Sequence, residues 1–219
     1  MPETPVAVKT IVTTPMAAKV AEHYSVQLID VLTGFKFIGE QIGLLEKEGQ
    51  AQRYIFGFEE SYGYLSGGFV RDKDAVNASL LICEMFAWYK AEGKSLLDVL
   101  DELYQIYGYY SNRLLSFAFE GAEGFSKMNA LIEGLREEAP KELAGYSVTK
   151  LTDYLRDDTG LPKSNVLRFW LEGSAEVVIR PSGTEPKLKI YLTAAGQDKK
   201  SSQDTVGRLD SHFQAWVGK

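Results

Sequence analysis

Val6-Ala7-Val8-Lys9-Thr10-Ile11-Val12-Thr13-Thr14-Pro15 decides how the first half of the chain folds. Val6 to Thr13 is rich in β-branched residues. It ends on Thr14-Pro15, which suits an N-cap followed by proline at the first helical position, where a missing N–H costs no intrahelical bond. A short helix to about Tyr24 follows, then a compact apolar strand from Val26 to Leu32. From Lys36 to Glu48, Phe37, Ile38, Ile42 and Leu45 recur at helical spacing, and Gly49 closes the run. Arg53 to Phe58 reads as another short strand. Strand, helix, strand, helix, strand requires crossover connections, hence a parallel sheet covered by helices. Ligands of such sheets gather at the carboxyl ends of the strands.

Downstream lies a glycine-rich loop, Gly57 to Gly68. Asp72 or Asp74 can then cap a helix running to Lys90. Its Val76, Leu80, Leu81, Cys83, Met85, Phe86 and Trp88 cover most of the circumference, which predicts deep packing. Ser95 and Asp98 form a variant capping box for the next helix, which stops near Gly108. The four tyrosines between Tyr104 and Tyr110 are assigned to helix packing.

The second half has a different rhythm. Arg113 to Phe119 reads as a strand and Gly124 to Glu138 as a helix ended by Pro140. Strands are predicted near Ala144 to Tyr154, Val166 to Leu171 and Glu176 to Arg180. Leu188, Ile190 and Leu192 alternate with Lys187, Lys189 and Tyr191, as in a half-buried strand. A polar link, Gln197 to Asp204, precedes a last helix with Val206, Leu209, Phe213 and Trp216 on one face. The expected fold is α/β plus α+β: a partial parallel βαβ sheet domain over residues 1–110, then a small antiparallel-sheet α+β domain over 111–219.

Composition bounds the function. The 219 residues are 45% apolar and 25% charged, as in an ordinary folded domain. A net charge of −6 argues against general affinity for nucleic acid or anionic membranes. The single cysteine, Cys83, excludes an intramolecular disulfide and a cysteine metal cluster, and its neighbours Leu81, Ile82 and Met85 predict a core position. His23 and His212 sit in polar helical contexts and are placed at the surface. No apolar run approaches the roughly 20 residues of a membrane span, and the N-terminus lacks the order of a signal peptide, so the cytoplasm is the expected location.

Three loops carry candidate chemistry. Arg180-Pro181-Ser182-Gly183-Thr184-Glu185-Pro186-Lys187 holds what a phosphate dianion needs. Arg180 offers a planar fork and Lys187 a point charge. Ser182 and Thr184 supply hydroxyls, and Gly183 lets backbone N–H groups approach. The prolines limit the freedom lost on binding. The same residues also suit a plain hairpin turn. In Gly57-Phe58-Glu59-Glu60-Ser61-Tyr62-Gly63-Tyr64, adjacent carboxylates in an extended run point opposite ways, whereas Glu59 and Ser61 face together and suit neighbouring sugar hydroxyls. A solvated acidic loop is the alternative, and a metal site lacks a third oxygen-rich segment. Thr33-Gly34-Phe35-Lys36 puts a cation beside a helix N-terminus, where the two can hold an anion together, although surface lysines are common.

In this order and spacing, Thr-Gly-Phe-Lys-Phe-Ile-Gly, Gly-Phe-Glu-Glu-Ser-Tyr-Gly and Arg-Pro-Ser-Gly-Thr-Glu-Pro-Lys resemble segments of the α-D-phosphohexomutase family. The Glu-Glu-Ser form points to its phosphoglucomutase/phosphopentomutase branch. The resemblance implies most of domain 3 plus the C-terminal domain of a four-domain, cytoplasmic enzyme that interconverts glucose 1-phosphate and glucose 6-phosphate. It works through a phosphoserine and a bisphosphate intermediate, with Mg2+ and glucose 1,6-bisphosphate as cofactors of the full-length enzyme. Carried over, Glu59, Ser61, Lys36 and Arg71 would meet the sugar, while Arg180, Ser182, Gly183, Thr184 and Lys187 would hold the non-reacting phosphate. Neither the serine loop nor the magnesium loop is found, since Arg71-Asp72-Lys73-Asp74 lacks the three-carboxylate spacing. The chain is therefore expected to begin inside domain 3, to carry no catalytic or metal-binding residue of its own, and to depend on the missing N-terminal domains. Its expected partners are those domains and a small sugar phosphate. The alternatives are a non-catalytic sugar-phosphate-binding module and a phosphopentomutase or phosphomannomutase fragment.

Overall fold

The structure, a computed structural model, describes residues 2–182 and 185–218. The chain divides between Tyr107 and Gly108 into two compact units. In the first, β1 (Val6–Thr10), α1 (Met16–His23), β2 (Gln27–Val31), α2 (Phe35–Lys47), a short 3-10 turn (Ala51–Arg53) and β3 (Tyr54–Phe58) follow in order. The three strands are parallel, with β1 in the middle. Thr14 and Pro15 act one residue earlier than expected. Pro15 occupies the N-cap, and the Thr14 hydroxyl accepts from the Met16 N–H at 3.4 Å.

One sheet face packs on α2. Ile38 and Ile42, one turn apart, are fully buried against Val6 and Val8 of β1. Each such side chain contributes about 1.5–3 kcal/mol of burial. Helix α2 ends at Gly49, which takes φ +70 and donates its N–H to Glu46.

The glycine-rich loop is not all loop. It folds back into β4 (Tyr64–Leu65), antiparallel to β3 through the Gly57–Leu65 and Phe58–Tyr64 pairs. Helix α3 (Ala75–Ala91) starts at Asp74, whose carboxylate accepts from the Val76 and Asn77 N–H groups, each at 2.9 Å. The expectation of deep packing for α3 is overturned. Ala78 is its one buried residue, while Val76 is 82% and Trp88 68% exposed. Cys83 is likewise exposed rather than in the core. Helix α4 (Leu96–Tyr107) opens on the Ser95–Asp98 capping box, in which each residue bonds the other's backbone N–H.

The second unit begins with β5 (Tyr109–Ala118), so Tyr109 and Tyr110 belong to a strand rather than to the helix that holds Tyr104 and Tyr107. Then come α5 (Gly121–Glu137), β6 (Glu142–Leu143), β7 (Tyr146–Asp153), β8 (Leu167–Leu171), β9 (Ala175–Pro181), β10 (Lys187–Gly196) and α6 (Lys199–Val217). The strands form one sheet in the order β5-β10-β9-β8-β7-β6, with every pairing antiparallel.

Alternation puts Leu167, Phe169, Val177, Ile179, Leu188 and Ile190 on one face, fully buried under Met128 and Ile132 of α5 and Leu209 and Phe213 of α6. The polar link expected at Gln197 to Asp204 is mostly helix: Asp198 and Ser201 form a capping box and α6 begins at Lys199. The opposite face is not half open, since Tyr191 is buried, as are Arg168 and Glu176, which pair at 2.6 Å. His23 is exposed and lies 2.9 Å from the Tyr107 hydroxyl, while His212 is half-buried against the Phe213 ring. Among the described residues no helix is long and apolar enough to cross a membrane.

Candidate functional site

The carboxyl ends of β1, β2 and β3 bring two of the three motif loops together. Gly34, between β2 and α2, takes φ +119, a conformation open to glycine and strained for other residues. Its N–H points at the loop after β3 and donates to Glu59 Oε1 at 2.9 Å. The loop is closed by the Glu59 N–H, which donates to the Gly63 carbonyl at 2.9 Å, with Tyr62 in a left-handed turn at φ +63. Gly63 keeps this corner uncrowded, because a Cβ there would stand 3.0 Å from Glu59 Oε2 and 3.2 Å from the Phe35 ring.

Burial pushes the Glu59 carboxyl above its ordinary value. The Gly34 N–H opposes that rise, the Glu60 charge adds to it, and Lys73 lowers it again. Glu60 turns the other way, toward Thr10 Oγ1 at 3.4 Å, and Thr10 and Thr13 share a hydroxyl contact of 2.8 Å. Ser61 lies exposed at the tip of the loop.

The other two sugar-side candidates are placed differently. Lys36 is exposed in the first turn of α2 with its ammonium 4.8 Å from the Phe37 ring centre, a cation–π contact. Arg71 is not brought to the strand ends. Its guanidinium binds Glu46 and the Gly68 carbonyl near the far end of α2. Eleven residue steps along the helix separate Phe35 from Glu46, roughly 16 Å at 1.5 Å per residue.

Sequence reasoning passed over Lys9. It sits in β1 on the same face as Ala7, is 3% exposed, pairs with Asp30 at 2.9 Å and donates to the Thr13 carbonyl at 3.1 Å. It anchors the Thr10 to Thr13 turn beside Glu60. A charged residue in the middle of an apolar strand was the available signal, because a lysine is rarely buried without partners.

In the second unit the basic motif is the connection between β9 and β10. Arg180 stands opposite Lys189 in register, so two cations share one end of that hairpin. The Arg180 Nε is buried and has no hydrogen-bond partner among the described residues. A buried guanidinium N–H left open is costly unless a ligand takes it. The Ser182 N–H donates to the Lys187 carbonyl at 2.7 Å, and the Phe119 N–H to the Pro186 carbonyl at 2.8 Å, which ties the loop to the end of β5. The Lys187 ammonium rests 2.9 Å from Glu185, and this contact holds the Glu185 carboxyl below its usual value. Gly183 and Thr184 lie outside the described residues.

Among the described residues no three His, Cys, Asp or Glu side chains cluster as a metal site would require.

Residues 1–107 match the sequence profile of the phosphoglucomutase/phosphomannomutase alpha/beta/alpha domain III, and residues 134–205 that of the C-terminal domain of the same family. A phosphoglucomutase of Staphylococcus aureus (strain bovine RF122 / ET3-1) is 40% identical over 197 residues, which cover 85% of this chain and 35% of the relative. A phosphoglucomutase of Staphylococcus epidermidis is 38% identical over 196 residues, covering 84% and 35%. In fold, the chain is similar to the open form of parafusin, a phosphoglucomutase from Paramecium. The TM-score is 0.66 at 20% identity, over 93% of this chain and 36% of that one. The chain spans about a third of the length of these curated relatives. With two successive domain profiles of one family matched in order along its length, the chain belongs to the phosphoglucomutase/phosphomannomutase family.

Proposed function

We propose that this chain supplies the sugar-recognising and phosphate-anchoring parts of a phosphoglucomutase that interconverts glucose 1-phosphate and glucose 6-phosphate. Its first unit reads the sugar. Glu59 and Ser61 accept from and donate to ring hydroxyls, with Lys36 within reach of the same loop mouth. Its second unit holds the phosphate that does not react, through Arg180, Ser182, Gly183, Thr184 and Lys187.

The observation that carries the reading is the Gly34–Glu59 bond of 2.9 Å, which joins two of the motif loops at the carboxyl edge of the sheet, where ligands of parallel sheets gather. The open Arg180 Nε supports the phosphate half.

This division suits the chemistry. A bisphosphate intermediate must turn end for end, so the anchor must accept either phosphate. Binding energy at a remote anchor positions the reacting end. Arg71, held by Glu46, fits a role in securing the loop to α2 better than one at the sugar. Phosphoryl transfer, the phosphoserine and magnesium belong in this proposal to other parts of a longer polypeptide.

The test has two arms. Assayed with glucose 1-phosphate, glucose 1,6-bisphosphate and magnesium, the isolated chain is expected to show no turnover. By calorimetry it is expected to bind glucose 6-phosphate weakly and glucose itself more weakly still. Equal affinity for sugar with and without phosphate would remove the anchor from the proposal.

A further inference from the structure

Lys9 is a buried charge in the middle of the sheet to which the proposed site gives no part. It lies on the central strand, in register with Asp30 of β2 on one side and Phe58 of β3 on the other. At 3% exposure it depends on partners within the protein. Its three ammonium hydrogens meet three acceptors: Asp30 Oδ1 at 2.9 Å, the Thr13 carbonyl at 3.1 Å and the Thr10 carbonyl at 3.3 Å. No hydrogen is left for a ligand, so Lys9 acts through what it holds.

What it holds is the turn after β1. Two carbonyls of that turn converge on the ammonium, and the Thr13 N–H closes it on the Thr10 carbonyl at 3.0 Å. The turn carries two buried hydroxyls, those of Thr10 and Thr13, 2.8 Å apart. Each has one hydrogen. The Thr10 hydroxyl donates to Glu60 Oε2 at 3.4 Å, so the Thr13 hydroxyl donates to Thr10, and the relay runs one way.

The relay ends on one of two adjacent carboxylates. Glu59 Oε1 accepts from the Gly34 N–H, while Glu60 is drawn toward β1. Nothing in a Glu-Glu pair says which side chain belongs at the Gly34 corner; the Thr10 hydroxyl does, by binding Glu60. We propose that Lys9 is a positioning residue: by pinning the Thr10 to Thr13 turn it holds Glu60 to the β1 side and so assigns Glu59 to the Gly34 corner. The same ammonium reaches Asp30, on the strand that leads to Gly34, so one charge ties together the ends of β1 and β2 and, through the hydroxyls, the loop after β3. The role rests on the sugar reading for its purpose, but its main test needs no sugar.

Amide hydrogen exchange in the ligand-free chain is followed for Gly34, bonded to Glu59, and for Gln50, bonded to the Leu45 carbonyl at the far end of α2. Thr10→Val keeps the shape of the buried side chain and removes its hydroxyl. Gly34 should then exchange about tenfold faster while Gln50 keeps its rate. Thr10→Ser should restore the protection, and Lys9→Met should remove it more completely than Thr10→Val. Native protection of Gly34 in folded Thr10→Val and Lys9→Met overturns the proposal. So does equal acceleration of Gly34 and Gln50, which marks a general loss of stability. If Lys9→Met does not fold, Asp30→Asn decides, since it weakens the hold on the ammonium from a side chain that is 43% exposed. Faster exchange of Gly34 alone then supports the role, and an unchanged rate overturns it. Calorimetry separates the sugar reading. Where the native chain binds glucose 6-phosphate, Thr10→Val should weaken that affinity about three- to tenfold, as for one lost hydrogen bond, and leave inorganic phosphate unaffected. An unchanged affinity overturns the proposal. A native chain that binds no glucose 6-phosphate removes the sugar reading, and the exchange rates still judge Lys9.

Discussion

The acidic loop of the first unit and the basic hairpin of the second are built on opposite principles. Glu59 is held before any ligand arrives: one oxygen takes the Gly34 N–H, its own N–H closes the turn on Gly63, and burial raises its pKa. Arg180 Nε has no hydrogen-bond partner among the described residues, and the Lys187 ammonium leans on the exposed Glu185. In the proposed reading, recognition of neutral hydroxyls rests on a fixed acceptor, whereas capture of a dianion rests on donors left unspent. A polar group can be left open where a stronger partner is coming, and the free protein bears a modest cost until then.

Substitutions sharpen or break this comparison, and the largest effect is expected in the scaffold that carries the basic hairpin. Phe169→Ala removes a fully buried ring under α5 and α6 and should cost about 3–5 kcal/mol in denaturant unfolding of the second unit. A smaller value would mean that the hairpin rests on a softer core than its burial indicates.

Next comes Arg180→Ala, which should weaken phosphate-dependent binding by about 1.5–3 kcal/mol, as for a charge-assisted hydrogen bond. It should leave the stability of the second unit unchanged or slightly higher, because the unsatisfied Nε goes with it. A clear loss of stability would make Arg180 a structural residue and erase the contrast. On the acidic side, Gly34→Ala should cost about 1–3 kcal/mol of folding stability through backbone strain at φ +119, read as a lower unfolding midpoint. No cost would mean that the preorganised loop tolerates rearrangement.

The smallest effect is a pH dependence. A carboxyl whose folded pKa lies above its unfolded value binds protons more readily in the fold. It therefore lowers stability above the folded pKa and gives that stability back as pH falls toward the unfolded value. The first unit should gain stability from Glu59 as pH falls through the interval just above the ordinary carboxylate range, and Glu59→Gln should flatten that segment of the curve. An identical curve in the mutant would mean that Glu59 does not feel its burial.

How much of this was legible in the residues divides along local and distant causes. The Ser95–Asp98 box, the close at Gly49 and the inward set Leu188, Ile190 and Leu192 are set by neighbours in sequence and are read correctly, whereas the burial of Tyr191 on the other face of that strand is not. Strand β4 stayed hidden because two residues inside a glycine-rich loop show no period. Lys9 was passed over because its partners, Asp30 and Thr13, are assembled only when β2 pairs with β1 and the turn closes. Arg71 is assigned to the sugar by resemblance, and nothing local announces its ion pair with Glu46, 25 residues away. The apolar circumference of α3 was recognised, but composition says that a helix wants burial and not which polypeptide supplies it. The acidic and basic motifs were found as strings, whereas the Gly34–Glu59 bond and the open Arg180 Nε required coordinates.

The central claim, that the first unit reads a sugar and the second holds a phosphate, is tested most directly by a heteronuclear NMR titration of this chain with glucose 6-phosphate. The account predicts shifts at the amides of Gly34, Glu59 and Ser61 in the first unit and at those of Ser182 and Lys187 in the second. Shifts confined to one loop, or none at millimolar ligand, would contradict it.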